Sequence, residues 1–365
     1  MAMHASEASV RAQILAILGA WGMPQDIAAV TAEVMVETDL MGIDSHGISM
    51  VMMYDGMRRD GQLKLDARPI VERDAGAVVL MDGGAALGHF ACWSGMRLAI
   101  GKARAHGVGI VAVRNSHHFG AAGYYARMAS DAGMIGLVTS SARNLLMVPT
   151  RGAEPMLGTN PIAFAAPAAS ERPFVLDMAT TTVAGNKVKV YHLKDKPLPE
   201  GWVLDEAGTP VVDPHEGYDR LFNAKGGGIS PLGGTAAMGS HKGYGLAMMA
   251  HVLAATLPGA AFPAVHKARR APGEGDDIGH FVMALNPGAI REEGAFEAQM
   301  AAEIAVLRGT RPAEQGVPVM IPGDPEDSER ARRLAQGIPL PDALVAHVRE
   351  IAAGCGAAFV LEAVA

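Results

Sequence analysis

Cysteine is nearly absent from this 365-residue chain: Cys92 and Cys355 are the only two, far apart and in no CxxC pair. That excludes a disulfide framework and a zinc ribbon. Charge of one sign is also missing as a feature. The formal net charge is -7, and the one basic run, His266 to Arg270, is followed after two residues by the acidic "GEGDD". A nucleic-acid surface is therefore not expected. No uninterrupted apolar stretch reaches membrane length, and the first residues carry no apolar leader core. The expectation is a cytoplasmic protein without nucleic-acid or membrane partners. HExxH, GxSxG and a Walker loop are lacking too, which removes zincins, nucleophile-elbow hydrolases and P-loop enzymes.

What is present reads as compact and globular: 49% hydrophobic and 19% charged residues, with 44 glycines and 22 methionines. Apolar residues recur at helical spacing from Ser6 to Gly22 and from Pro24 to Gly42, with Pro24 near N1 and Gly42 just past the end. Asp44 or Ser45 then suits the cap of a third helix running to Arg59, with His46 in its first turn. From residue 76 short Val/Ile/Leu runs alternate with helical segments: "AVVLM", a helix over His89 to Ala105, "VGIVAV", a helix over Ala121 to Asp131, and "MIGLVTS". "PIAFAAP" and "FVLDM" suit neighbouring buried strands. A long loop over 194–234 precedes a helix from Lys242 to Thr256, the strand "HFVMALN", a helix over Glu293 to Arg308 and two terminal helices. This is an α/β pattern with helices at both ends, which together would form a second unit. The expected division is 1–75 with 312–365 as a helical, substrate and dimer domain, and 76–311 as an α/β nucleotide-binding domain.

"GVGIVA" (Gly107 to Ala112) fits G-x-G-x-x-A, but a dinucleotide turn must follow a strand and open a helix. Here the order is reversed, so Gly107 is expected to cap a helix that leads into a strand. In "RNSHHFGAAGYYA" the adjacent His117 and His118 diverge on either a helix or a strand, so no shared metal is expected. The stretch is a strand-to-helix turn at the carboxyl end of a strand, where α/β proteins bind ligands. Packing is the competing role for either histidine. "GTNPIAFAAP" sets Thr159 and Asn160 before a strand, "FVLDMATT" ends a strand on an acid and hydroxyls, and "GSHKGYG" opens a helix with His241 and Lys242, a start that favours an anion. "DSHG" puts His46 at a helix start, where the dipole lowers its proton affinity.

In order, "DSHG", "RNSHHFG", "GTNPIAFAAP", "LDMATT", "HKGYGLAMM" and "IPGDPE" resemble the type-2 malate/L-lactate dehydrogenase family, across nearly the whole chain. The resemblance implies a non-Rossmann nucleotide-binding domain with a mixed sheet, a helical domain from the two termini, a homodimer, and no metal. It implies NAD or NADP as cofactor and hydride transfer between nicotinamide and a 2-hydroxy/2-oxo acid. His46 would be the proton donor or acceptor, supported by Ser45, with His117 as the base in some members. Cofactor contacts carry over to His118, Phe119, Gly120 and Ser141, to Leu176, Asp177, Met178, Ala179, Thr180, Thr181 and Thr182, to His241 and Lys242, and to Gly323, Asp324 and Pro325. Thr159 matches a substrate contact.

Two positions depart from the family pattern. Met50 stands where members usually carry an arginine that grips the substrate carboxylate, so Arg58, Arg59, Arg143 or Lys187 would have to serve, or the substrate is bulkier and less acidic there. Lys187 stands where imine-reducing members carry the aspartate of a Ser–His–Asp relay. A cyclic imino acid reductase is thus the alternative enzyme reading, and a non-catalytic nucleotide-binding paralogue the alternative outside catalysis.

Overall fold

The computed structural model describes residues 2–223, 225–269, 271 and 273–364, so Arg270 of the basic run lies outside the described residues. After a short strand β1 (Ala2–Ala5), α1 (Glu7–Ala20) opens on Ser6, whose side chain accepts from the Ser9 amide at 3.1 Å. Helix α2 (Gln25–Leu40) follows Pro24 as its N-cap. The third helix starts later than its sequence suggests. Residues 43–47 form turns, Ile48–Met50 a single 3-10 turn, and α3 runs from Val51 to Arg59. His46 is thus in a turn ahead of the helix. The cap is remote: Asp39, near the end of α2, accepts from the Ile48 amide at 2.8 Å.

The middle of the chain builds a seven-stranded sheet from β2 (Ile70–Ala75), β3 (Val78–Asp82), β4 (Val108–Ser116), β5 (Ile135–Ser140), β6 (Ile162–Ala166), β7 (Phe174–Met178) and a late strand, Ile278–Leu285. The sheet begins at Ile70, ahead of the boundary expected at residue 75. Only β3 and β4 pair in parallel, joined through α4 (Gly88–His106). Every other neighbour is antiparallel, a mixed topology unlike the all-parallel dinucleotide fold. Gly107 caps α4 in the left-handed conformation (φ 83°) and leads straight into β4, as "GVGIVA" had suggested. α5 (Ala122–Asp131) follows the turn after β4. The strand Ile278–Leu285 sits at the sheet's centre and is buried along most of its length. By contrast β7 is an edge strand and half-buried, because nothing but β6 pairs with it within the sheet.

The stretch expected as a long loop is structured. α6 (Gly185–Leu193) leads into β8 (Val203–Leu204), β9 (Pro210–Val211), α7 (Pro214–Phe222) and β10 (Gly228–Ile229), and the three short strands form a small sheet of their own. Val183, Val188, Leu198, Val203, Val211 and Ile229 give it a separate core. Its strands are two residues each, too short to show a period in sequence. Next come α8 (Ser240–His251), continued by a π-type turn over Val252–Thr256, α9 (Pro263–Arg269) and the central strand, now β11 (Ile278–Leu285).

After α10 (Ala295–Arg308), α11 (Asp324–Gln336), β12 (Ile338–Pro341) and α12 (Asp342–Cys355) bring the chain back to its beginning. β12 pairs antiparallel with β1. Val10, Ile14, Leu18, Met35, Leu40 and Tyr54 share one core with Leu340 and Val348, each large side chain worth about 1.5–3 kcal/mol against exposure. The buried amide of Gln13 fastens the tail by donating to the Ala358 carbonyl (3.1 Å) and accepting from the Val360 amide (2.7 Å). Gln13→Leu leaves both backbone groups without that partner. It should cost about 1–3 kcal/mol and speed proteolysis of the last residues, read by denaturant midpoint and by mass of the clipped product.

Candidate active site

The turn carrying His46 is held from below. The Asp39 carboxylate lies so close to Gly47 that a Cβ there would sit 1.8 Å from its Oδ1, so no larger residue fits. Arg333 on α11 donates to the Asp39 carbonyl at 2.8 Å and pairs with Asp44. Asp44 is therefore spent on Arg333 instead of capping a helix. Above this knot His46 is half-buried, and its Nδ1 lies 2.7 Å from Ser45 Oγ. Desolvation lowers its proton affinity below the ordinary 6.5, the direction expected from a helix dipole but with burial as the cause.

His46 faces His118, with ring centroids 5.3 Å apart. His118 follows β4, in the expected strand-to-helix turn. Its Nδ1 meets Tyr54 Oη of α3 at 2.7 Å and the Gly120 amide at 3.4 Å. Burial holds the Tyr54 hydroxyl far above its usual titration, so Tyr54 donates. Burial, then the neighbouring His46 and His89, holds His118 well below its usual value. Nδ1 is then an acceptor, and the ring proton of His118 stays on Nε2. His89 completes the nest, edge-on to Tyr54 at 5.7 Å and held to about 3 by burial. These imidazoles are neutral as a group, since a charge on one would be desolvated and would repel the next.

His117 points away from this nest, as adjacent residues at a strand end should. Its ring is fully buried, with Nε2 3.0 Å from the Gln62 carbonyl and Nδ1 3.6 Å from Asp276 Oδ2. Asp276 also meets Arg143 Nε at 3.1 Å. Phe119 is core, stacked between Tyr125 (5.3 Å) and His280 (4.6 Å). Tyr54, His89 and His280 were not singled out in sequence. Each stands alone in a helix or strand pattern, and only the fold gathers them.

Two further groups of the expected contacts converge. The first is a tight pocket lined by Ala121, Gly123, Val175, Asp177, Gly323 and Glu326. It joins the start of α5, the edge strand β7 and the start of α11. Asp177 accepts from the Gly123 amide at 2.7 Å, and burial pushes its carboxyl up to about 6. In the second, Thr180 donates through its amide and hydroxyl to the Thr159 carbonyl (2.8 and 2.9 Å), while its own carbonyl accepts from Leu232. Leu232 in turn accepts from the Gly243 amide at the start of α8, where His241 and Lys242 are exposed.

Other expected contacts have their side chains committed elsewhere. Asp324 binds Arg308 and the Ile321 amide, Ser141 binds the Gly279 amide, Lys187 lies over Trp202, and Met50 packs on the terminal core. Leu176, Met178 and Ala179 are half-buried along the edge strand and its end. Among the described residues no group of three or more His, Cys, Asp or Glu is placed to hold a metal, and no helix is long and apolar enough to cross a membrane.

A family profile described as malate/L-lactate dehydrogenase matches residues 5–349. The chain belongs to the malate/L-lactate dehydrogenase family. A malate dehydrogenase of Pyrococcus abyssi is 36% identical over 344 residues, 94% of this chain and 92% of that protein. Malate dehydrogenase from Entamoeba histolytica superposes with a TM-score of 0.92 at 28% identity, covering 98% of this chain and 99% of that one. The delta1-piperideine-2-carboxylate reductase of Pseudomonas syringae pv. tomato superposes at 0.81 with 29% identity, over 95% and 99%. Membership of this dehydrogenase family makes the chain an oxidoreductase and agrees with the mixed sheet described above.

The knot under His46 can be tested through Asp39. Burial pushes its carboxyl up to about 8, against a backbone hydrogen bond from Ile48 that lowers it. The folded state thus holds the proton more tightly than the unfolded one. Its stabilising contribution is complete below about 4 and is lost as pH rises through about 8. Asp39→Asn should flatten the fall in denaturant midpoint between pH 5 and pH 9; equal slopes in variant and parent would refute this. Gly47→Ala should cost at least about 1–3 kcal/mol at every pH, because the clash does not depend on charge.

Proposed function

We propose that the chain is an NAD(P)-dependent dehydrogenase that interconverts a 2-oxo acid and a 2-hydroxy acid, with His46 as proton donor and acceptor. The observation that carries this is the geometry of His46: half-open, anchored through Nδ1 to Ser45, and facing a nest of neutral rings. Its other nitrogen is left to serve a substrate oxygen. His117 is the weaker candidate, since its ring is fully buried and Nε2 already lies against a backbone carbonyl.

The residues present fit a dinucleotide. Asp177 offers a carboxylate to ribose hydroxyls. Lys242 and the first amides of α8 offer positive ends to phosphate. The ring proton on His118 Nε2 offers a donor to an amide carbonyl. A bound nicotinamide supplies the hydride, or takes it in the reverse direction. The chain itself keeps the reacting carbonyl away from bulk water, orients it beside His46, and delivers one proton from the imidazolium to the developing alkoxide. Reduction thus adds one hydride and one proton across the C=O bond; oxidation returns the proton to neutral His46.

Exposed apolar side chains along α8 to α9 (Met249, Val252, Leu257, Phe262 and Val265) support self-association as a homodimer. The shared core of the two termini supports their assignment as a helical domain beside the nucleotide-binding sheet. The similarity to a piperideine-2-carboxylate reductase keeps cyclic imines in the substrate panel.

The test follows absorbance of reduced nicotinamide with NADH and NADPH against 2-oxo acids and cyclic imines. Turnover of oxo acids is expected, and His46→Ala should lower kcat about 10²–10⁴-fold. Full activity in His46→Ala with loss in His117→Ala would move the proton to His117. Turnover of imines alone would make the chain an imino acid reductase, and cofactor binding without any turnover a non-catalytic paralogue. The pH dependence has a definite sign. Because His46 titrates below 6.5, kcat/KM for reduction should fall as pH rises through that depressed value. The same quantity for oxidation should fall as pH drops through it. Opposite slopes would remove His46 from the proton step.

A further inference from the structure

A 2-oxo acid needs a cation for its carboxylate, and at the position where an arginine would serve, Met50 packs on the terminal core. Three other cations are engaged away from the histidines. Arg58 pairs with Asp55 at 2.8 Å and lies over Trp21, and Arg59 shares the same Asp55 at 3.0 Å. Lys187 is exposed and lies 5.3 Å over Trp202, beside the small sheet. Arg143 differs. It sits in the loop after β5, and that loop presses on the strand entrance carrying Thr159: a Cβ on Gly158 would lie 2.2 Å from the Ala142 side chain. Its Nε meets the buried Asp276, which also borders His117 at 3.6 Å, and the guanidinium remains partly exposed.

We propose that Arg143 is the carboxylate-binding residue of this enzyme, standing in for the arginine that Met50 replaces. The inference rests on the reading of the site as a 2-oxo/2-hydroxy acid centre. The Asp276 carboxylate beside the Nε edge balances the guanidinium's charge while no substrate is bound. The remaining N–H donors form the planar fork that a carboxylate accepts in bidentate fashion. The positive charge also reaches His118, whose protonation it opposes, so the fork and the neutral nest share one field. A carboxylate approached from the Thr159 side, and not from α3, leaves the Met50 side apolar. The preferred substrates should therefore tolerate an apolar group there.

The experiment compares pyruvate with pyruvamide, which has the same carbonyl but no carboxylate, in wild type, Arg143→Met, Arg143→Lys and Arg58→Met. Arg143→Met should lower kcat/KM for pyruvate by on the order of 10²-fold, mostly through KM, with pyruvamide changed less than about threefold and Arg143→Lys intermediate. Arg58→Met should behave as wild type. Equal losses on acid and amide would show a merely structural role and overturn the proposal. Calorimetric binding of oxamate to the cofactor-loaded protein provides a readout independent of turnover. Oxamate affinity should drop at least tenfold in Arg143→Met alone. If wild type turns over no 2-oxo acid, the functional reading fails, and oxamate still decides Arg143. If oxamate binds wild type and Arg143→Met alike, or neither, Arg143 is not the carboxylate site.

Discussion

A single carboxyl group, that of Asp39, sits under the turn at Gly47 and Ile48, and the chemistry above it depends on that contact. It caps the 3-10 turn at Ile48, excludes any side chain at Gly47, and raises His46 toward the strand end that carries His118. Arg333 fastens the arrangement from the other terminus by holding the Asp39 carbonyl and Asp44. The turn that carries His46 is thus clamped by residues nearly 300 positions apart, and closing the termini through β1 and β12 is part of holding it.

The second constraint is electrostatic. His46 lies beside His118, and His89 and His118 lie beside Tyr54 and each other, and burial drives all three imidazoles toward the neutral form. A neutral nest can orient a substrate through N–H and lone-pair geometry without fixing a charge beside the reacting carbonyl. Within it His46 is the ring that keeps a hydroxyl partner, Ser45, and partial access. Under the proposed function, that ring is the one that moves the proton. Under that same proposed function, charge for the substrate's acid end comes from outside the nest, where Arg143 is held on Asp276.

Several elements could be read locally because one residue type decided each of them. Gly107 had to end a helix, since a glycine between a helical run and a Val/Ile run takes the left-handed cap. His117 and His118 had to diverge at a strand end. The failures were equally physical. The span 194–234 looked like loop because its strands are two residues long and their core is assembled from distant positions. The third helix was started too early because Asp44 and Ser45 are good caps by type, yet Asp44 was taken by Arg333 and Ser45 by His46.

The sequence by itself determined most of the alternation of elements, the absence of a Rossmann turn and, through motif order, the family, because period, glycine and motif order are properties of neighbours along the chain. It also showed that Met50 lacks the charge an acid substrate calls for. Only the tertiary structure decided which histidine is open and which is locked, that Tyr54 and His89 join the nest, and that Arg143 is held on Asp276 while Arg58 and Arg59 share Asp55. Burial and pairing depend on contacts between residues tens to hundreds of positions apart, and those contacts exist only once the sheet and the two termini have closed around them.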